Sequence, residues 1–176
     1  MTTDPASTLD DVRPARLGPR RIWPRRLAIA LLVAVVLAGA AGFLGVHSTS
    51  RTATVGRDTL TVEYASIARA GLDAPWTVTV RRAGGFDGPV RLAVTADYFD
   101  LFESQGLDPE PAAETADGRL LYWTFDPPPG EEFSVDFDAY IQPAAQWGAG
   151  GEISLLDGPD DSAPSVTVAF STWLVP

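Results

Sequence analysis

The sequence predicts an all-β body, an antiparallel β-sandwich of about seven strands, behind one transmembrane helix and a disordered N-terminal tail. Three observations predict it. A run of twenty residues without charge, 27–46, lies near the N-terminus. From residue 58 onward, hydrophobic residues recur at every second position. Glycine- and proline-rich turn sequences cut that region into strand-length segments, and no amphipathic helical period of useful length interrupts them. A chain of 176 residues holds one ordinary domain plus appendages. The expected divisions are a tail at 1–26, a membrane helix at 27–46, a tether at 47–57 and the β domain at 58–176.

Residues 1–19 are polar, contain proline and lack hydrophobic period, the composition of a disordered segment. The tail to residue 26 carries six arginines against three aspartates, whereas residues 47–176 carry twenty acidic residues against seven arginines. The net charge of −10 therefore conceals a basic tail and an acidic body. An acidic body repels phosphates, which argues against nucleic acid as a partner.

The run LAIALLVAVVLAGAAGFLGV, residues 27–46, makes a helix of about 30 Å, the thickness of a bilayer's hydrocarbon core. Lipid forces a backbone to satisfy its own hydrogen bonds, and a single helix does so. Arg20, Arg21, Arg25 and Arg26 precede the run and only Arg51 and Arg57 follow nearby. The positive-inside rule then places the N-terminus in the cytoplasm and the C-terminal body outside the cell membrane. Trp23 suits an aromatic anchor at the inner interface. The rival reading is a cleaved secretion signal, with Leu27–Leu37 as its apolar core and Ala38-Gly39-Ala40 as its cleavage site. Against that, Phe43, Leu44 and Val46 prolong the run beyond what a signal needs. Arg20-Arg21 opens a twin-arginine pattern that Ile22-Trp23-Pro24 does not continue. Ala30, Ala34, Ala38 and Gly42 recur every four residues, a spacing that suits close helix approach and that an Ala-rich segment also produces by chance.

Residues 47–57, rich in Ser and Thr, read as a short tether, with His47 an interfacial side chain at the outer end of the helix. Beyond it Leu60, Val62 and Tyr64 alternate with polar residues, as do Trp76, Val78 and Val80, and Val90, Leu92 and Val94. The clearest stretch sets Phe133, Val135, Phe137, Ala139 and Ile141 against Ser134, Asp136, Asp138, Tyr140 and Gln142, an antiparallel strand with one wet face. Further strands are expected at 119–125, 152–156 and 165–175. Turn chemistry separates them at Gly84-Gly85, Asp87-Gly88-Pro89, Asp117-Gly118, Pro127 to Gly130, Gly148 to Gly151 and Asp157-Gly158-Pro159. A single open sheet would leave its apolar face in water, so two packed sheets are expected.

Tyr122-Trp123-Thr124-Phe125, then Pro129-Gly130-Glu131, then an alternating strand that ends at Gln142-Pro143, resembles a recurrent pattern of bacterial immunoglobulin-like extracellular domains. The match covers about twenty residues and lacks the Cys–Trp–Cys core of antibody-type domains, since there is no cysteine. The general plan also resembles that of small membrane-anchored proteins of actinobacterial type. These likenesses imply an immunoglobulin-like β-sandwich and an extracytoplasmic address, not an activity.

The residues available restrict the chemistry. Without cysteine there are no disulfides and no thiolate ligands or nucleophiles, and one histidine excludes a multi-histidine metal site. Absence of lysine removes Schiff-base and Ser–Lys mechanisms, and no phosphate-cradling glycine loop or G-x-S-x-G elbow occurs. Hard-oxygen calcium binding is what remains, and the densest acidic loop, Asp157-Gly158-Pro159-Asp160-Asp161, lacks the EF-hand spacing. No catalytic residue, cofactor or metal ligand is therefore assigned. Asp136 and Asp138 share a strand face, the geometry of an ordinary solvated surface.

Two apolar features remain as partner-binding candidates. Tyr98, Phe99 and Phe102 crowd a long connection between strands, where they either plug one end of the sandwich as a helical turn or form a contact patch. Trp147 stands beside a glycine run at a loop tip. The expected function is a non-catalytic, membrane-anchored extracytoplasmic module that binds or scaffolds another envelope or membrane protein. The alternatives are a carboxylate-dependent envelope glycan hydrolase and a secreted ligand-binding domain released near Ala40.

Overall fold

A computed structural model describes residues 19–40, 42, 45–103, 106–157 and 164–175. The N-terminal residues 1–18 and the acidic loop at 158–161 lie outside the described residues. The chain divides into two units, 1–44 and 45–176, each considered by itself.

The first unit holds helix α1, Pro19–Ala40. Within it Ile22–Ala40, 19 residues, is long and apolar enough to cross a bilayer, and no part of that stretch is buried. The helix is displaced from the expected 27–46. Its start takes in Arg25 and Arg26, good helix formers, behind Pro19, whose fixed φ suits a first turn. Its end comes early because Gly42 adopts a left-handed φ of 81° and donates its N–H to the Gly39 carbonyl at 3.0 Å. Glycine reaches that conformation without a Cβ penalty and so closes the helix. Val46, expected within the membrane run, instead packs on the β core.

The second unit begins with β1, His47–Val55, and β2, Asp58–Ala68, joined by a two-residue turn at Gly56-Arg57. The expected tether is thus a nine-residue strand. Its Thr residues, read as tether composition, are also good strand formers once a partner is present. Hydroxyl pairs Thr52–Thr61 at 2.9 Å and Thr54–Thr59 at 3.0 Å lace the hairpin. There follow β3, Asp73–Arg82, β4, Val90–Thr95, a single helical turn α2, Ala96–Phe99, and the two-residue strands β5, Phe102–Glu103, and β6, Leu107–Asp108. Next come β7, Ala113–Ala116, β8, Leu120–Phe125, β9, Glu132–Ile141, β10, Ala149–Leu156, and β11, Pro164–Leu174.

Seven of these strands are the expected ones, and β1, β5, β6 and β7 are additional. They make one curled sheet in the order β5-β9-β3-β2-β11-β10-β4-β8-β7, with β1 also on β2 and β6 also on β9. Every pairing is antiparallel except the two-residue contact of Ile67–Ala68 with Trp173–Leu174. That contact joins β2 to β11 and makes the sheet continuous and mixed, where two separate sheets were expected.

The alternating residues meet inside the curl. Leu60, Val62, Val78, Val80 and Val135 come from one half, and Leu92, Val94, Ile153, Leu155 and Val168 from the other. Trp76 lies at the centre, edge-on to Phe99, Trp123, Phe137 and Phe170 with ring centroids 5.3–6.2 Å apart. Tyr98 reaches in from α2. Thr172 Oγ1 donates to the Ala65 carbonyl at 2.7 Å, so the Tyr98 hydroxyl is the donor in its own 2.8 Å bond to Thr172. The chain ties α2, β11 and β2 together through one hydroxyl.

Candidate binding surface around Trp147 and Trp173

In the second unit the large apolar side chains left exposed, among the described residues, are Val55, Ile67, Leu72, Trp147 and Trp173. All but Val55 belong to one end of the sheet, where β2 runs out and meets the last residues of β11. This clustering matters more than the number, because single exposed hydrophobics are ordinary.

Local structure explains the two indoles. Along β11 the residues Val166, Val168, Phe170, Thr172 and Leu174 face inward, so Trp173 is turned outward and is 70% exposed. Trp147 lies in the connection from β9 to β10, after a turn closed by Ala145 N–H on the Gln142 carbonyl at 3.0 Å, and is 82% exposed. A Cβ at Gly148 would stand 2.0 Å from the Thr172 carbonyl oxygen. Only glycine lets the backbone press against β11 there, and that contact brings Trp147 to the same groove as Trp173. The glycines at 150 and 151, expected in a turn, instead belong to β10. At Gly151 a Cβ would meet Phe170, Thr95 and Tyr98 at 3.2 Å, so its bareness makes room for α2.

The groove measures about 850 Å³. Ser66, Arg69 and Ala70 line it together with the two indoles. The Arg69 Nε is enclosed without a hydrogen-bond partner, and Arg69 makes no ion pair among the described residues. Ser66 Oγ donates to the His47 carbonyl at 2.9 Å, so the groove borders the point at which the chain enters β1. Two flat amphipathic rings beside an uncompensated guanidinium suit a surface that is apolar in part and anionic in part.

The other candidates fare differently. Tyr98 and Phe102 are buried in the core, and Phe99 is half-buried among Trp76, Trp123 and Phe137. Tyr98 and Phe102 are therefore core side chains rather than a contact patch, with Tyr98 against Phe170 and Phe102 against Phe137. Phe99 and Phe102 do wall a second hollow of about 420 Å³ with Trp123, Glu103 and Glu114. Glu114 accepts there from Trp123 Nε1 at 3.2 Å. Asp108 stands opposite Asp136 across β6 and β9, and with Asp138 they line an open hollow of about 410 Å³. All three are exposed, and Asp136 accepts from Thr77 Oγ1 at 2.6 Å. Among the described residues no group of three His, Asp or Glu is placed to hold a metal ion. No family model matches the chain, and no curated protein matches it in sequence.

Proposed function

We propose that the chain is a non-catalytic, single-pass module of the cell envelope, anchored by α1, with its N-terminus cytoplasmic and its acidic β unit outside. Its task in this reading is to bind or scaffold a neighbouring envelope component. The observation that carries the reading is the exposure of α1. From Trp23 to Leu37 every side chain is bare, including Leu27, Ile29, Leu31, Leu32, Val33, Val35 and Val36. Such a surface is costly in water and favourable in hydrocarbon, at roughly 25 cal/mol per Å². Arg25 and Arg26 at its start and the acidic body after it support the orientation. The strand-rich second unit and the Pro129-Gly130-Glu131 corner support an immunoglobulin-like extracytoplasmic domain.

Two measurements test this. Full-length protein is expected to stay with membranes through an alkaline carbonate wash, and protease added to intact cells is expected to digest the β unit. Release by carbonate, or a β unit spared by the protease, overturns the reading. Secretion is the second possibility, since α1 ends on Ala38-Gly39-Ala40, a cleavage-type sequence. The intact mass of the native protein decides between them, because cleavage removes the whole helix.

A further inference from the structure

We infer that the groove between Trp147 and Trp173 seats on the phospholipid headgroup layer of the membrane that α1 crosses, with Arg69 paired to lipid phosphate. The inference rests on the anchored reading above.

Three independent features point to lipid. The first is connectivity. Six residues separate Ala40 from His47, so the chain reaches no more than about 25 Å between them even when fully extended. His47 is bonded to Ser66 in the groove wall and stands in register with Ile67. Whatever the disposition of the two units, this end of the sheet is leashed close to the lipid surface. The second is polarity. The exposed apolar side chains Ile67, Leu72, Trp147 and Trp173 gather at this end, while the Arg57–Asp87 and Arg82–Asp58 pairs lie where β2 begins, at the other. The third is charge. In a body of twenty acidic and seven basic residues, the groove carries a guanidinium and its named lining holds no carboxylate. Indoles concentrate at the level of the headgroups, with the ring in the acyl boundary and the N–H toward water, and a guanidinium forks onto phosphate oxygens. The module would then stand on the bilayer by this end, holding the opposite end of the sheet outward.

The native chain has no cysteine, so single labelled sites report position cleanly. Full-length Gln146→Cys and Ser171→Cys place an environment-sensitive fluorophore beside the groove and leave both tryptophans intact. Thr54→Cys places one at the far hairpin. Each is reconstituted in vesicles of phosphatidylcholine and phosphatidylglycerol that contain headgroup-nitroxide lipid. Quenching at positions 146 and 171 is expected to exceed that at 54 by about threefold or more, and the double substitution Trp147→Ser, Trp173→Ser to abolish the difference. Arg69→Gln is expected to lower it by about half. Equal quenching at all three positions, in protein that survives a carbonate wash, overturns the inference and leaves the anchor standing. Loss of the protein in that wash overturns the anchor instead. Labels at 146 and 171 that are shielded from aqueous iodide but unquenched by nitroxide lipid assign the groove to a protein occupant, and that result also overturns the inference.

Discussion

Arg82 shows how a charged side chain is kept inside the sheet. Its Nε donates to Asp58 Oδ1 at 2.6 Å and its Nη2 to Oδ2 at 2.9 Å, a two-pronged pair between residues in register across β2 and β3. Both side chains are almost enclosed, and the Asp58 hydrogen bonds hold the guanidinium above its ordinary pKa. Asp58→Ala leaves that cation without its carboxylate and is expected to cost about 3 kcal/mol, read from urea unfolding of the full chain in detergent. An unchanged midpoint would mean that the pair contributes nothing. Tyr98 carries a pH dependence. Burial raises its pKa to about 12. The folded state thus holds the phenol proton more tightly than the unfolded chain does. The resulting stability is complete below about pH 10 and falls away as pH climbs toward 12. Tyr98→Phe is expected to remove that alkaline decline and to cost about 1 kcal/mol near neutrality, since Thr172 keeps its bond to Ala65. Thermal unfolding of both proteins between pH 9 and about 11.5 checks the difference. Trp173 was legible in the sequence as an outward residue, because Phe170, Thr172 and Leu174 occupy the other parity of one strand. Parity announces exposure but not companionship, and the groove is made by Trp147 and Arg69 arriving from elsewhere in the chain.

At the scale of elements, the period-two pattern and the turns that bound it mark β2, β3, β4, β8, β9, β10 and β11, since both are local properties of the chain. They miss β5 and β6, whose two-residue lengths carry no period, and β7, which is exposed along its whole length. They also miss β1, where a mostly polar face and an exposed position mute the contrast between in and out. The glycines at the start of β10 and just before it are graded in what they tolerate. Gly148→Ala drives a methyl into the Thr172 carbonyl and is expected to destabilise by about 2 kcal/mol and to displace Trp147. At Gly150 the nearest atoms lie 3.5 Å from a new Cβ, so Gly150→Ala is expected to be nearly neutral. Urea midpoints of the two variants should therefore differ clearly, and equal midpoints would show that the close approach at Gly148 does not exist.

At the scale of the molecule, the buried cluster draws on Leu60 to Leu174, with Val46 and Ala53 packed at its edge. Nothing before Gly45 belongs to the β unit. A polypeptide of residues 45–176 is therefore expected to fold alone, with a thermal midpoint within about 5 °C of that of the full chain. A molten or aggregated product would show that the tail and helix contribute to the core. The β2–β11 contact is the feature that joins the two halves into one sheet, and its two pairings are the sole parallel ones among the described strands.

The sequence by itself determined that a lipid-length helix precedes a strand-built body, and that charge changes sign between the tail and that body. Those properties are sums or periods over neighbouring residues. Tertiary structure alone decided that Tyr98 and Phe102 are core, that residues 47–55 are a strand, and that Trp147, Trp173 and Arg69 share a groove. The core and the groove depend on pairings over long separations, as between Ala65 and Thr172, 107 residues apart, and the strand at 47–55 depends on a hairpin partner that its own composition does not announce. No local period encodes which distant backbone will supply the missing hydrogen bonds, and the burial of a side chain follows from that choice.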